Sequence, residues 1–204
     1  MIRKVVKILW IFIALISLVC VFIFFSIAKG WIGYMPPVED LENPNYKFAT
    51  EVFSEDGKVL GTYSYSKENR VFVGYNDLSP NIINALIATE DVRFAEHSGI
   101  DAYALTRAVV KRGTLMQKNA GGGSTITQQL IKNNVFGGGR EKSFGETVER
   151  KLQEQYLAVK LSKTMSKELV LTNYLNTINL GNNTLGVKVA ARRYFGKEVS
   201  DLTL

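Results

Sequence analysis

Cysteine and histidine are nearly absent: the 204-residue chain has one of each, Cys20 and His97. A single cysteine excludes an intrachain disulfide, so the fold must rest on its apolar core. Cys20 also lies inside an apolar run, and no second histidine accompanies His97, which argues against a metal site built on those ligands. Instead, His97 is expected to order the turn before Gly99. Proline is scarce, and three of the four residues sit in "YMPPVEDLENPNYK" (34–47), an extended linker by composition. There is no internal repeat, and no nucleic-acid partner is expected.

Charge is missing altogether from Ile8 to Ala28. Those 21 residues, at about 1.5 Å of rise each, match a bilayer core of about 30 Å. A cleaved signal peptide competes with an uncleaved anchor, but "FSIAKGW" offers no small-x-small cleavage site, which favours the anchor. Arg3, Lys4 and Lys7 precede the run, so the N-terminus is expected in the cytoplasm and residues 30–204 outside. The remaining charge is uneven. Residues 30–101 carry 5 Lys/Arg against 12 Asp/Glu, net −7, whereas 102–204 carry 16 against 7, net +9. A basic half beside a membrane suits lipid headgroups or a phosphate-bearing substrate, although a merely solvated surface would look the same.

The expected organisation is a cytoplasmic tail (1–7), a transmembrane helix (8–28), a linker (29–47), a β-rich segment (48–76) and a mainly α domain (77–204). In the β-rich segment, strand-like runs flank the Asp56-Gly57 turn signal, and "NRVFVGY" reads as a third strand. Ser64 and Lys67 form an S-x-x-K spacing, but in a strand pattern the lysine is not one helical turn from the serine, so it reads as coincidence. From Ser79-Pro80 the pattern turns helical. Further helices are expected at about 101–111, 124–135, 143–162, 166–176 and 184–195, the last stopped by Gly196. Ser200 reads as one more N-cap, whose helix would lie in a longer protein.

Three stretches could carry chemistry. Glu90 and Asp91 end an apolar helix, where the helix dipole disfavours a carboxylate and tends to raise its pKa, as a general base requires. Surface acids closing a helix are the plain alternative. In "GGGSTITQQL", the glycines allow close approach of a ligand, Ser124 is expected to cap the next helix, and backbone N–H groups with Ser and Thr hydroxyls suit an anion or a sugar. Gln128, Gln129, Lys132 and Asn133 continue on that helix. In "ERKLQEQYLAVKL", Glu154 shares a helix face with Arg150 and Lys151, and Val148, Leu152, Leu157 and Leu161 supply apolar positions. Alone, that triad would be an ordinary helix ion pair.

Taken together, "ATEDVRFAEHSG", "GGGSTITQQLIKN", "RKLQEQYLAVKL", "KELVLTNYLN" and "GNNTLGVKVAARRYFGK" resemble, in order and spacing, the five motifs of the peptidoglycan glycosyltransferases (family 51). The resemblance covers residues 78–204, and the preceding anchor and sheet resemble the start of a class A penicillin-binding protein. It implies a mainly α, lysozyme-like fold with a membrane-dipping jaw. It also implies polymerisation of lipid II, in which the acceptor's 4-hydroxyl attacks C1 of the donor, inverts it and releases undecaprenyl pyrophosphate. By this resemblance Glu90 is the general base, and Glu154 a second acid that orients the acceptor or holds a divalent cation, Mg²⁺ or Mn²⁺. Lys132, Arg140 and Lys151 meet the leaving group. Asp91, Phe94, His97, Gly123, Ser124, Thr125, Gln128, Gln129, Asn133, Arg150 and Asn176 complete the substrate site. Implied partners are lipid II with the growing lipid-linked glycan, the cytoplasmic membrane, and elongation or division proteins. A monofunctional transglycosylase, a muramidase-like hydrolase and a silent glycan-binding scaffold remain alternatives. Three departures stand out: Ser162 where the third motif has Glu, Asn183 where the fifth has its middle glycine, and a longer stretch, "FGGGREKSFGETVERK", that leaves the role of Arg140 open.

Overall fold

The computed structural model describes residues 2–37, 39–42, 48–63, 70–113 and 122–203; Ser64 and Lys67 lie outside them. Helix α1 (Ile2–Ala28) is long and apolar enough to cross a membrane and is almost wholly exposed. Its C-terminal end docks on the domain. Ser26 and Ile27 are buried, and Phe24 meets Tyr156 edge to face with centroids 6.0 Å apart. Gly33 then turns the chain with φ +74°, and a Cβ there would lie 2.0 Å from Glu149 Oε1 and 2.2 Å from Gln153 Nε2. The left-handed φ favours glycine there, while the Glu149 and Gln153 side-chain ends would have to move aside for a Cβ. A one-turn helix, α2 (Glu39–Glu42), contributes Leu41 to the core.

Strands β1 (Thr50–Phe53) and β2 (Val59–Tyr63) form an antiparallel hairpin about Asp56-Gly57, with Thr50 opposite Tyr63 and a register shift after Val52. The expected third strand is not formed among the described residues. Val71–Gly74 is extended but joins no ladder, and the segment is tied through Ala49 N–H to Arg70 O and through Val73 to Asn176. Val71 and Val73 are buried, so the β-favouring pattern reflects burial. The hairpin is fastened by Glu51, whose carboxylate is bonded to Lys188 Nζ at 2.8 Å and to Arg192.

The domain is a mainly α, lysozyme-like bundle. Its elements are α3 (Pro80–Glu90), α4 (Ala102–Gly113), α5 (Ile126–Val135), α6 (Phe144–Thr164), α7 (Lys167–Thr177) and α8 (Val187–Ala190), which runs on into a π-helical turn at Ala191–Phe195. Ser79, Ser143 and Ser166 cap α3, α6 and α7, each accepting a backbone N–H. Helix α5 packs between α6 and α7, burying Ile126, Leu130, Ile131, Leu157, Leu161 and Tyr174. Each such large side chain contributes about 1.5–3 kcal/mol.

Four local expectations differ. Thr125, not Ser124, caps α5: its hydroxyl accepts Gln128 N–H while the Gln128 side chain accepts Thr125 N–H, a reciprocal capping box. The last helix starts at Val187 rather than 184, because Asn179 and Leu185 bridge and Gly186 turns with φ +79° first. Ser200 caps nothing; it lies inside a single 3-10 turn, Val199–Asp201. Val148 is exposed, and the buried face of α6 is Arg150, Gln153, Glu154, Leu157, Ala158 and Leu161. Asn183 adopts φ +54°, a left-handed conformation that asparagine tolerates better than most residues, which is how it replaces a glycine.

Candidate active site

Helix α3 ends at Glu90, and the following residue, Asp91, is pulled inward. Its carboxylate is bonded to His97 Nε2 at 2.9 Å and accepts the N–H of Ile126, at the start of α5, at 3.0 Å. That clamp leaves Glu90 exposed at the mouth of a cleft of about 340 Å³. The cleft is lined by Glu90 and Asp91 together with Arg93, Arg107, the Gly122–Thr125 strip and Gln129. Gln129 Nε2 donates to Glu90 Oε2 at 2.8 Å, and Tyr174 OH donates to Gln129 Oε1 at 3.0 Å. Burial, and then the charge of Glu90, push the Tyr174 phenol up to about 12, so it stays a donor. The tyrosine thereby orients the amide so that its NH₂ faces the carboxylate.

A second cluster adjoins the strip. Glu154 is 0% exposed; Oε1 is bonded to Arg150 Nη1, and Oε2 accepts from Lys151 Nζ at 2.7 Å. Lys151 also donates to Ser124 Oγ at 3.1 Å and remains 40% exposed, so it links the buried acid to the cleft wall. Arg150 is further paired with Glu141 at 2.5 Å. Although burial works against its charge, these two carboxylates hold its pKa above the ordinary value.

This donor set does not fit a divalent cation at Glu154. Both carboxylate oxygens are already taken by cations away from solvent, and no group of three or more His, Cys, Asp and Glu side chains that could hold a metal occurs among the described residues. No step below passes through an ion.

Of the residues expected to bind substrate, Asp91, Gly123, Ser124, Thr125 and Gln129 do line the cleft. Thr125 and Gln128 are buried in the capping box, and Thr125 Oγ1 also donates to Gly99 O at 2.6 Å. Phe94 is 2% exposed, in the core beneath Lys167, whose ammonium sits 4.3 Å from its ring and donates to the carbonyls of Phe94 and His97. Asn176 is 0% exposed, with its amide bonded to both backbone groups of Val73 and to Thr172 O. Phe94, His97 and Asn176 hold the site's frame and do not face the cleft. Lys132 and Asn133 are half-buried on α5, and Arg140 is exposed beyond Gly137–Gly139, where the chain folds over Lys132 and Arg150. Ser162 donates to Ala158 O and lies against Gly99, where a Cβ would come within 2.3 Å of that carbonyl oxygen. Arg93, Asp101 and Arg107 also line the cleft, and motif spacing did not single them out.

The sequence that builds this arrangement, an exposed carboxylate with a neutral amide partner beside a glycine strip and a lysine, matches a known family. The family model described as Transglycosylase covers residues 56–204. The chain belongs to the transglycosylase family. It carries a peptidoglycan glycosyltransferase domain preceded by a helix long and apolar enough to cross a membrane. It is similar to penicillin-binding protein 1A of Aquifex aeolicus (39% identical over 99% of this chain and 26% of the relative). It is also similar to penicillin-binding protein 1A of Vibrio cholerae (37%, 92% and 22%) and penicillin-binding protein 2a of Streptococcus pneumoniae (41%, 88% and 22%). The chain therefore spans about a quarter of the length of these relatives.

Proposed function

We propose that this transglycosylase polymerises lipid II with Glu90 as general base. The observation that carries the reading is Glu90 itself: exposed in the cleft, held by one neutral amide and in no ion pair among the described residues. In the proposed step the acceptor's 4-hydroxyl oxygen bonds to C1 of the donor muramyl sugar from the face opposite the leaving group. The C1–O bond to the diphosphate breaks, and the hydroxyl proton passes to Glu90. Undecaprenyl pyrophosphate leaves with the bonding electrons. Its charge would be met by Lys151 at the Ser124 edge, with Lys132 and Arg140 nearby on α5 and the loop after it.

Glu154 acts in this scheme by holding Arg150 and Lys151 rather than by touching substrate. The N-terminus is cytoplasmic and the domain lies outside, as Arg3, Lys4 and Lys7 before the apolar run direct. The length and names of the relatives support a place at the start of a bifunctional class A penicillin-binding protein. A polymerisation assay with detergent-solubilised protein and lipid II tests the reading. Glycan polymer from the wild type, and none from Glu90→Gln at unchanged melting temperature, is expected. Near-normal polymerisation by that variant would remove Glu90 from the mechanism.

A further inference from the structure

Helix α4 forms one wall of the cleft through Ala104 and Arg107, one turn apart. Its position is fixed at two places. Asp101 caps it, accepting Ala104 N–H at 2.9 Å, and Arg93 braces that carboxylate at 2.6 Å. Gly123 lies flat against it: an added Cβ would sit 3.1 Å from Ala108 Cβ and 3.3 Å from Ala104 O. The wall and the Gly122–Thr125 strip therefore keep a set separation.

Five charged residues line this cleft: Glu90, Asp91, Arg93, Asp101 and Arg107. Four are engaged. Glu90 accepts from Gln129, Asp91 holds His97 and Ile126 N–H, and Arg93 pairs with Asp101 while stacking 4.4 Å from the Tyr103 ring. Arg107 is exposed and makes no hydrogen bond or ion pair among the described residues. A guanidinium with no partner among the described residues, on a braced wall and facing the same space as Glu90, presents a planar fork of donors suited to a carboxylate or phosphate. Lys151, by contrast, is already shared between Glu154 and Ser124.

Building on the lipid II reading, we propose that Arg107 is a substrate-binding residue that takes an oxyanion of the lipid-linked glycan on the α4 wall. Two parts of such a substrate carry that chemistry, the diphosphate and the carboxylates of the muramyl peptide.

The test uses the full chain in detergent, wild type against Arg107→Gln and Arg107→Lys, with dansyl-labelled lipid II and with the same lipid bearing amidated stem carboxylates. Turnover and equilibrium binding are both measured. Arg107→Gln is expected to raise KM and Kd on the order of ten- to a hundredfold, the loss of a charge-assisted contact, with kcat changed far less, melting temperature unchanged and partial recovery in Arg107→Lys. If amidated lipid costs the wild type the same factor and costs Arg107→Gln nothing more, the ligand is a carboxylate. If amidation leaves the contrast between the two proteins intact, it is the diphosphate. KM and Kd within twofold of wild type overturn the assignment. A wild type that binds lipid II without polymerising it, with Arg107→Gln binding tenfold more weakly, would overturn the proposed activity and leave Arg107 in place; no binding by either would overturn both.

Discussion

Glu90 and Glu154 are carboxylates flanking one glycine strip, and they are treated in opposite ways. Glu90 is exposed, has a neutral partner and ends a helix, where the dipole opposes its charge. Glu154 is fully buried in mid-helix and neutralised by Arg150 and Lys151. A group that must take a proton has to be reachable and short of positive neighbours. A group that must hold two cations in place needs the reverse. On the proposed function the first does chemistry and the second positions cations, although both occur in motifs of the same family.

The sharpest way to break that contrast is to neutralise each acid isosterically. Glu90→Gln keeps size and exposure and removes only basicity, so activity should fall by at least the 10²- to 10⁴-fold typical of a general base, with no change in thermal midpoint. Glu154→Gln should do the converse. Removing one member of a buried ion cluster leaves uncompensated charge and costs about 3–5 kcal/mol, seen as a lower midpoint of denaturation, with activity lost alongside it because Lys151 is no longer held at Ser124. A Glu154→Gln protein that is inactive yet as stable as wild type would mean that Glu154 takes part in the reaction, and the assignment would collapse.

Why the two acids could not be told apart beforehand is a matter of depth. The spacing of Arg150, Lys151 and Glu154 places them on one helix face but says nothing about how far that face is buried. The same limit applies to Phe94, His97 and Asn176: a family motif records residues that hold the frame together with those that touch substrate, and only packing separates them. Helix starts were legible at Ser79, Ser143 and Ser166, each before an acidic or proline-led first turn, but the same signal at Ser200-Asp201 caps nothing. The start of α5 was misplaced by one residue because Ser124 and Thr125 have the same capping chemistry. The reciprocal bond from Gln128 decides between them, three residues after Thr125. Arg107 was invisible because nothing local distinguishes it from any other cation on an amphipathic helix.

Tyr174 sharpens the comparison at the smallest scale, since it reaches Glu90 only through Gln129. Tyr174→Phe removes the bond that fixes the amide's orientation, so Gln129 can turn its oxygen toward Glu90 and disturb the base without altering it. A net loss of about 0.5–1.5 kcal/mol corresponds to roughly a two- to thirteenfold fall in kcat, less than for Glu90→Gln. The same substitution has a signature in pH. The folded pKa of about 12 stands above the ordinary 10.0, so the native state binds this proton more tightly than the unfolded chain does. That stabilisation is fully present below pH 10 and is lost as pH rises from about 10 toward 12. Thermal midpoints measured from pH 9 to 11.5 should therefore fall more steeply for wild type than for Tyr174→Phe. Parallel slopes would show that the phenol is not held protonated by burial and the charge of Glu90, while an unchanged kcat in Tyr174→Phe would end its role in orienting Gln129.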